Sequence, residues 1–114
     1  MTTLNLEAAT NADWRQPFKA ADAAGGDLSL TGATIRMDVR DRGGTSALSL
    51  ALGSGLTVTD AAAGEFELEV DRDDMAGIAP GLYGFDLLIE IDGLALTAAR
   101  GTVHIRDGVT EWPA

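Results

Sequence analysis

Residues 71–91 read DRDDMAGIAPGLYGFDLLIEI, and this stretch decides the fold. It opens as an acidic turn, passes through Pro80-Gly81 and becomes the most apolar run of the chain. From Tyr83, alternate positions carry Tyr83, Phe85, Leu87, Ile89 and Ile91, a period of two that marks a strand with one buried face. Asp86 and Glu90 fall between them and face water or a partner, with Leu88 the apolar exception on that side. The acidic start predicts one short helical turn over residues 71–78, with Asp71 as N-cap and Pro80-Gly81 as its end.

The same period spreads outward. Immediately upstream, residues 65–70 alternate strictly, with Phe66, Leu68 and Val70 inward and Glu65, Glu67 and Glu69 outward. Downstream, Asp92-Gly93 is a tight hairpin signal, and residues 94–105 return antiparallel. Leu94, Leu96 and Ala98 are inward by even number, whereas Val103 and Ile105 are inward by odd number. One residue must be absorbed, which predicts a bulge around residues 99–101. Nearer the start, Ile35, Met37 and Val39 alternate with Arg36, Asp38 and Arg40. Leu48, Leu50 and Leu52 mark a further strand, Leu56 and Val58 begin a short one, and Leu4 and Leu6 mark a first one. Trp14, Pro17 and Phe18 suit an edge or irregular segment that covers one end of the core. Residues 20–27 form a loop, and the tail 106–114 is expected to leave the domain.

Seven or eight short strands, turn signals about every ten residues and no long helix predict an all-β, antiparallel β-sandwich, with a small barrel as the alternative. Pro80-Gly81 followed by Tyr83 resembles the tyrosine corner of immunoglobulin-like sandwiches, whose hydroxyl bonds to backbone a few residues upstream. The expected acceptor lies near residues 74–76. Tyr83, Pro80, Gly81 and Phe85 are therefore read as structural residues.

Composition bounds the function. The 114 residues suit one domain, and a hydrophobic fraction of 46% is enough for a core. The chain has no cysteine, which excludes disulfides and thiolate metal sites. The start, MTTLNLEAAT, lacks the pattern of a signal peptide, and no apolar run is long enough for a membrane-spanning helix. The expectation is a soluble protein made in a cytoplasm. A net charge of −10 opposes nucleic acid and anionic membranes.

No catalytic, cofactor or metal site is predicted. The single histidine, His104, alternates with Val103 and Ile105 and faces outward without an assembled nucleophile. Asp71, Asp73 and Asp74 resemble half of a calcium loop, but the glycine and distal glutamate of such a loop are missing. Glu65, Glu67 and Glu69 form an exposed row expected to pair with Arg36 and Arg40 or to meet a basic partner. Trp14, Phe18 and Trp112 are large residues in an aromatic-poor chain. They serve either as anchors of a protein interface or as caps of the domain's own core. On the first of those readings, segments 1–26 and 106–114 mediate assembly.

Three blocks carry a wider resemblance: LSLTGATIRMDVRDRGGTSALSLAL, GLTVTDAAAGEFELEVDRDDMAGIAPGLYGFDLLIEIDG and LTAARGTVHI, within residues 27–105. They are similar to the N-terminal immunoglobulin-like domain of baseplate upper proteins, a family of tailed-bacteriophage structural proteins. Leu30, Gly32, Arg36, Met37, Val39 and Arg40 match its first block, and Pro80, Gly81, Tyr83, Phe85, Asp86 and Leu87 its second. Gly101, Val103 and Ile105 match its last. Members of that family continue into a stalk or second domain. The resemblance implies a non-enzymatic virion protein of the tail or baseplate, made in the host cytoplasm and docked in an oligomer to other virion proteins. A capsid decoration protein and a ligand- or carbohydrate-binding sandwich module are the alternatives.

Overall fold

The computed structural model describes residues 2–22 and 24–112. Pro113 of the predicted tail lies outside them. The chain forms β1 (Thr2–Ala9), β2 (Trp14–Lys19), β3 (Thr34–Arg40), β4 (Ser46–Leu52), β5 (Gly55–Asp60), β6 (Glu65–Val70), α1 (Arg72–Ala76), β7 (Gly81–Ile91) and β8 (Leu94–Arg106). The hydrogen-bonded order is β1-β8-β7-β3-β4-β5-β6-β2. It is an all-β, immunoglobulin-like sandwich that comes close to a barrel.

The order divides at β4 and β5. These strands share only two ladder positions, Ala51 with Gly55 and Leu52 with Leu56, and they run parallel. A parallel neighbour in one sheet needs a crossover of a dozen residues or more. Gly53-Ser54 is far too short for that, so the chain turns a corner here and passes from one sheet into the other. Gly53 and Gly55 take φ of 82° and 97°, which L-residues rarely adopt. The larger sheet is thus β4-β3-β7-β8-β1 and the smaller is β5-β6-β2.

The predicted phases place the core. Ile35, Met37 and Val39 of β3, and Phe85, Leu87 and Ile89 of β7, are buried on the inner face of the larger sheet. Leu56, Phe66, Leu68 and Val70 meet them from the smaller sheet. Met75 of α1, with no exposed surface, and Ile78 join the same core. Phe18 stacks on Phe66 with ring centroids 5.3 Å apart. β2 is the outermost strand of the smaller sheet, which is where Pro17 is tolerated.

Several expectations are refined. The sandwich is not wholly antiparallel, because β1 pairs with β8 in parallel over eight residues, from Thr2–Ala99 to Ala9–Arg106. The bulge on β8 falls at the near edge of the region expected, one residue before Ala99. Leu87 faces Ala99 and Leu88 faces Thr97, so Ala98 is the extra residue. Gly101 instead makes room for the Leu4 backbone of β1. The Asp92-Gly93 hairpin has both residues at positive φ, 52° and 79°, as a tight two-residue turn requires.

Tyr83 is buried, and its hydroxyl donates to the Ala79 carbonyl at 2.5 Å. The acceptor lies four residues upstream, closer than residues 74–76, because α1 ends at Ala76 and the segment after it places the Ala79 carbonyl at the hydroxyl. Tyr83→Phe should lower stability by about 1–2 kcal/mol with the fold retained. Urea melts of both proteins read this directly, and an unchanged midpoint would remove the hydroxyl from the account.

Candidate protein interface

The predicted anchors separate on folding. Trp14 is 3% exposed and belongs to the core, so of its two readings the structure gives it the cap and withdraws it from any interface. It opens β2 opposite Val70, and that position turns its ring inward. Phe18 is partly buried on Phe66 and also lines a cleft. Trp112 remains 59% exposed.

The tail does not leave the domain along its described length. Thr10 N–H donates to the Arg106 carbonyl at 3.0 Å, and Gly108 N–H to Thr10 Oγ1 at 3.0 Å. Asn11 Nδ2 donates to the Thr110 carbonyl at 2.9 Å, and Trp112 Nε1 to the Asn11 carbonyl. The Arg72 guanidinium sits 4.4 Å from the centroid of the Trp112 ring, within cation–π range. The β1–β2 turn therefore seats the tail, and Trp112 ends against α1. Glycine at 108 is needed there, since a Cβ would lie 2.0 Å from Asn11 Cγ.

That turn also caps the helix. Asp71 occupies the N-cap position but makes no side-chain capping bond. The Arg72 N–H instead donates to Asp13 Oδ1 at 2.7 Å. Sequence reading missed Asp13 because the bond joins residues far apart in the chain. Asp73 and Asp74 stand in the first turn of α1, where the helix dipole favours acids. Glu69, Asp71 and Asp74 line an open groove of about 490 Å³ beside Gly53-Ser54-Gly55. Among the described residues, no three side chains of the metal-ligating types gather to hold an ion.

The glutamate row finds a different partner from the one expected. β6 lies between β5 and β2, whereas Arg36 and Arg40 are on β3 in the larger sheet. Arg15 of β2 reaches Glu69 at 3.0 Å and Glu67 at 3.6 Å. Its hydrogen bond to Glu69, with the nearby carboxylate charges, raises the Arg15 pKa. Lys19, opposite Glu65 in register, pairs with Asp27 at 3.2 Å. Arg40 pairs with Asp38 at 3.1 Å on its own strand. Asp38 also accepts from Ser49 Oγ at 2.9 Å, and this bond, then the one from Arg40, holds its carboxyl below the usual range. His104 is exposed, opposite Leu82 on one side and Glu7 on the other. All these pairs are solvent-facing, so they tune surfaces more than they stabilise the fold.

The β7–β8 hairpin carries the exposed apolar surface. Pairing of β3 with β7 ends at Glu90, and pairing of β1 with β8 begins at Ala99. Leu94 and Leu96 lie in register with Ile91 and Ile89, on the inward side, yet they are 61% and 39% exposed. The inner face simply extends past the core that would cover it. Leu88, on the other face, is 40% exposed. The hairpin therefore presents leucines on both faces.

A second feature opens at the side of the sandwich. β1 and β2 are the end strands of the order, and a cleft of about 260 Å³ lies between them. Leu4, Leu6, Phe18, Phe66, Leu87 and Ala99 supply most of its apolar lining.

No family model matches this sequence, and no curated protein matches it. Solved structures do resemble it. CopC from Methylosinus trichosporium OB3b aligns over 94% of this chain and 90% of its own, with 13% identity and a TM-score of 0.52. A structure from a photo-crosslinking study of cell-adhesive interactions of VGSC beta subunits covers 93% and 92%, with 9% identity and a TM-score of 0.42. At 13% identity the CopC likeness shows the β-sandwich fold and nothing of the chemistry.

The cap makes a clear prediction. Asp13→Ala should cost about 1 kcal/mol, the usual cost of losing an N-cap, whereas Asp71→Ala should cost much less. Thermal melts of the two variants decide it; the reverse order would return the cap to Asp71.

Proposed function

We propose that this chain is a non-catalytic docking module, a structural component of a tailed-phage tail or baseplate that works through protein–protein contacts. The observation that carries the docking reading is the β7–β8 hairpin. Leu94 and Leu96 stand exposed on one face of this element and Leu88, between Asp86 and Glu90, on the other, and apolar side chains left uncovered beyond the core are the pattern of a protein contact. The virion assignment rests on the resemblance of residues 27–105 to the immunoglobulin-like domain of baseplate upper proteins. Trp112 and Val109, exposed on the docked tail, offer a further contact at a separate place.

Gold-labelled antibody against this chain, applied to phage particles from the producing strain, tests the assignment. Label at the tail or its tip is the expected result. Label over the capsid would make the chain a decoration protein, and unlabelled particles would remove the virion reading. The docking surface is tested separately with Leu94→Ser/Leu96→Ser. Both leucines are already exposed, so the variant should fold with an unchanged circular dichroism spectrum and be lost from assembled particles. Normal incorporation would clear the hairpin of that role.

A further inference from the structure

We infer that β1 is a self-association edge, through which two copies of this chain pair antiparallel about a two-fold axis at Asn5. The two end strands of the sheet order differ in how they treat their free edges. β2 is blunted by Arg15, Pro17 and Lys19, and charges and proline are the devices by which edge strands refuse further pairing. β1 reads TTLNLEAA, without proline and with one charge. Its eight residues are paired to β8 on one side, and among the described residues no strand pairs with the other. A row of backbone donors and acceptors beside an apolar cleft is matched by another extended strand.

The sequence of β1 fits its own copy. With Asn5 opposite Asn5, Leu4 faces Leu6 of the second copy and Thr3 faces Glu7. The apolar residues then meet in one row and the polar residues in the other, with no like charges directly opposite. Such self-complementarity is what a two-fold interface requires.

Charge also selects this edge. The chain carries a net −10, which opposes self-association in general. Glu7 is the one acid on β1, and Arg106 holds it at 2.8 Å, with the Glu7 carboxyl drawn below its usual range by that hydrogen bond. Neighbouring β8 adds Arg100. Two copies can approach here without bringing their acidic turns together. This pairing is independent of whatever binds the hairpin.

Sedimentation equilibrium of the full chain reads it. Wild type should show twice the 11.8 kDa monomer mass, reversibly with concentration. Asn5→Lys and Asn5→Asp each place like charges across the axis and should be monomeric, while an equimolar mixture should recover the dimer. A monomeric wild type up to about 1 mM, or single variants that still dimerise, would overturn the pairing. If either charged variant fails to fold, cysteine crosslinking decides, because the chain has no cysteine of its own. Asn5→Cys should oxidise to a disulfide dimer. Thr3→Cys, four residues from its own copy in this register and thus about 13 Å away, should not. Equal crosslinking of both would contradict the register.

Discussion

One close approach governs an entire end of the molecule. The backbone of Leu4 passes so near Gly101 that a Cβ on residue 101 would lie 1.8 Å from the Leu4 carbonyl oxygen. Gly101 has φ of 152°, which side chains disfavour, so residue type and backbone shape agree there. Because Gly101 yields this space, β1 lies flat along β8 and Leu6 enters the core. The turn after β1 then stands where it seats the tail through Thr10 and Asn11 and caps α1 through Asp13. α1 in turn contributes Met75 to the core. A strand, a turn, a tail and a helix thus depend on the absence of one side chain.

The larger features were legible because they are local. A period of two needs only neighbouring residues, and β6 runs over the predicted residues 65–70. Asp92-Gly93 and Pro17 were equally readable, since turn geometry and edge tolerance are set by single residue types. What escaped was the choice between distant partners. Arg36, Arg40 and Arg15 all alternate with apolar residues, and nothing in that spacing tells which arginine will face Glu67 and Glu69. Strand order decides, and it puts β2 beside β6. Asp13 and the tail were missed for the same reason, as each acts across a long separation in sequence. The phase change in β8 was visible, but its exact residue depends on which β7 side chain must stay buried, here Leu87.

The surfaces divide by the same logic. Side chains predicted as interface anchors from size alone were partly claimed by the core, Trp14 wholly and Phe18 in part. Leu94 and Leu96 of the β7–β8 hairpin have the opposite history. Their alternation reads as core, yet the sheet that would cover them stops short. An inward-phased residue becomes a surface residue where the facing layer ends, and that is a property of layer size that periodicity does not encode. Fold by itself assigns no activity, and the proposed docking rests on these particular side chains.

Amide hydrogen exchange on Gly101→Ala tests the dependence on this close approach most directly. The account predicts that protection falls together in residues 3–9, in the turn at 10–13 and in the tail 107–112, while β3 and the centre of β7 keep theirs. Protection lost uniformly across the domain, or retained along β1, would contradict the claim that this one contact holds that end of the fold.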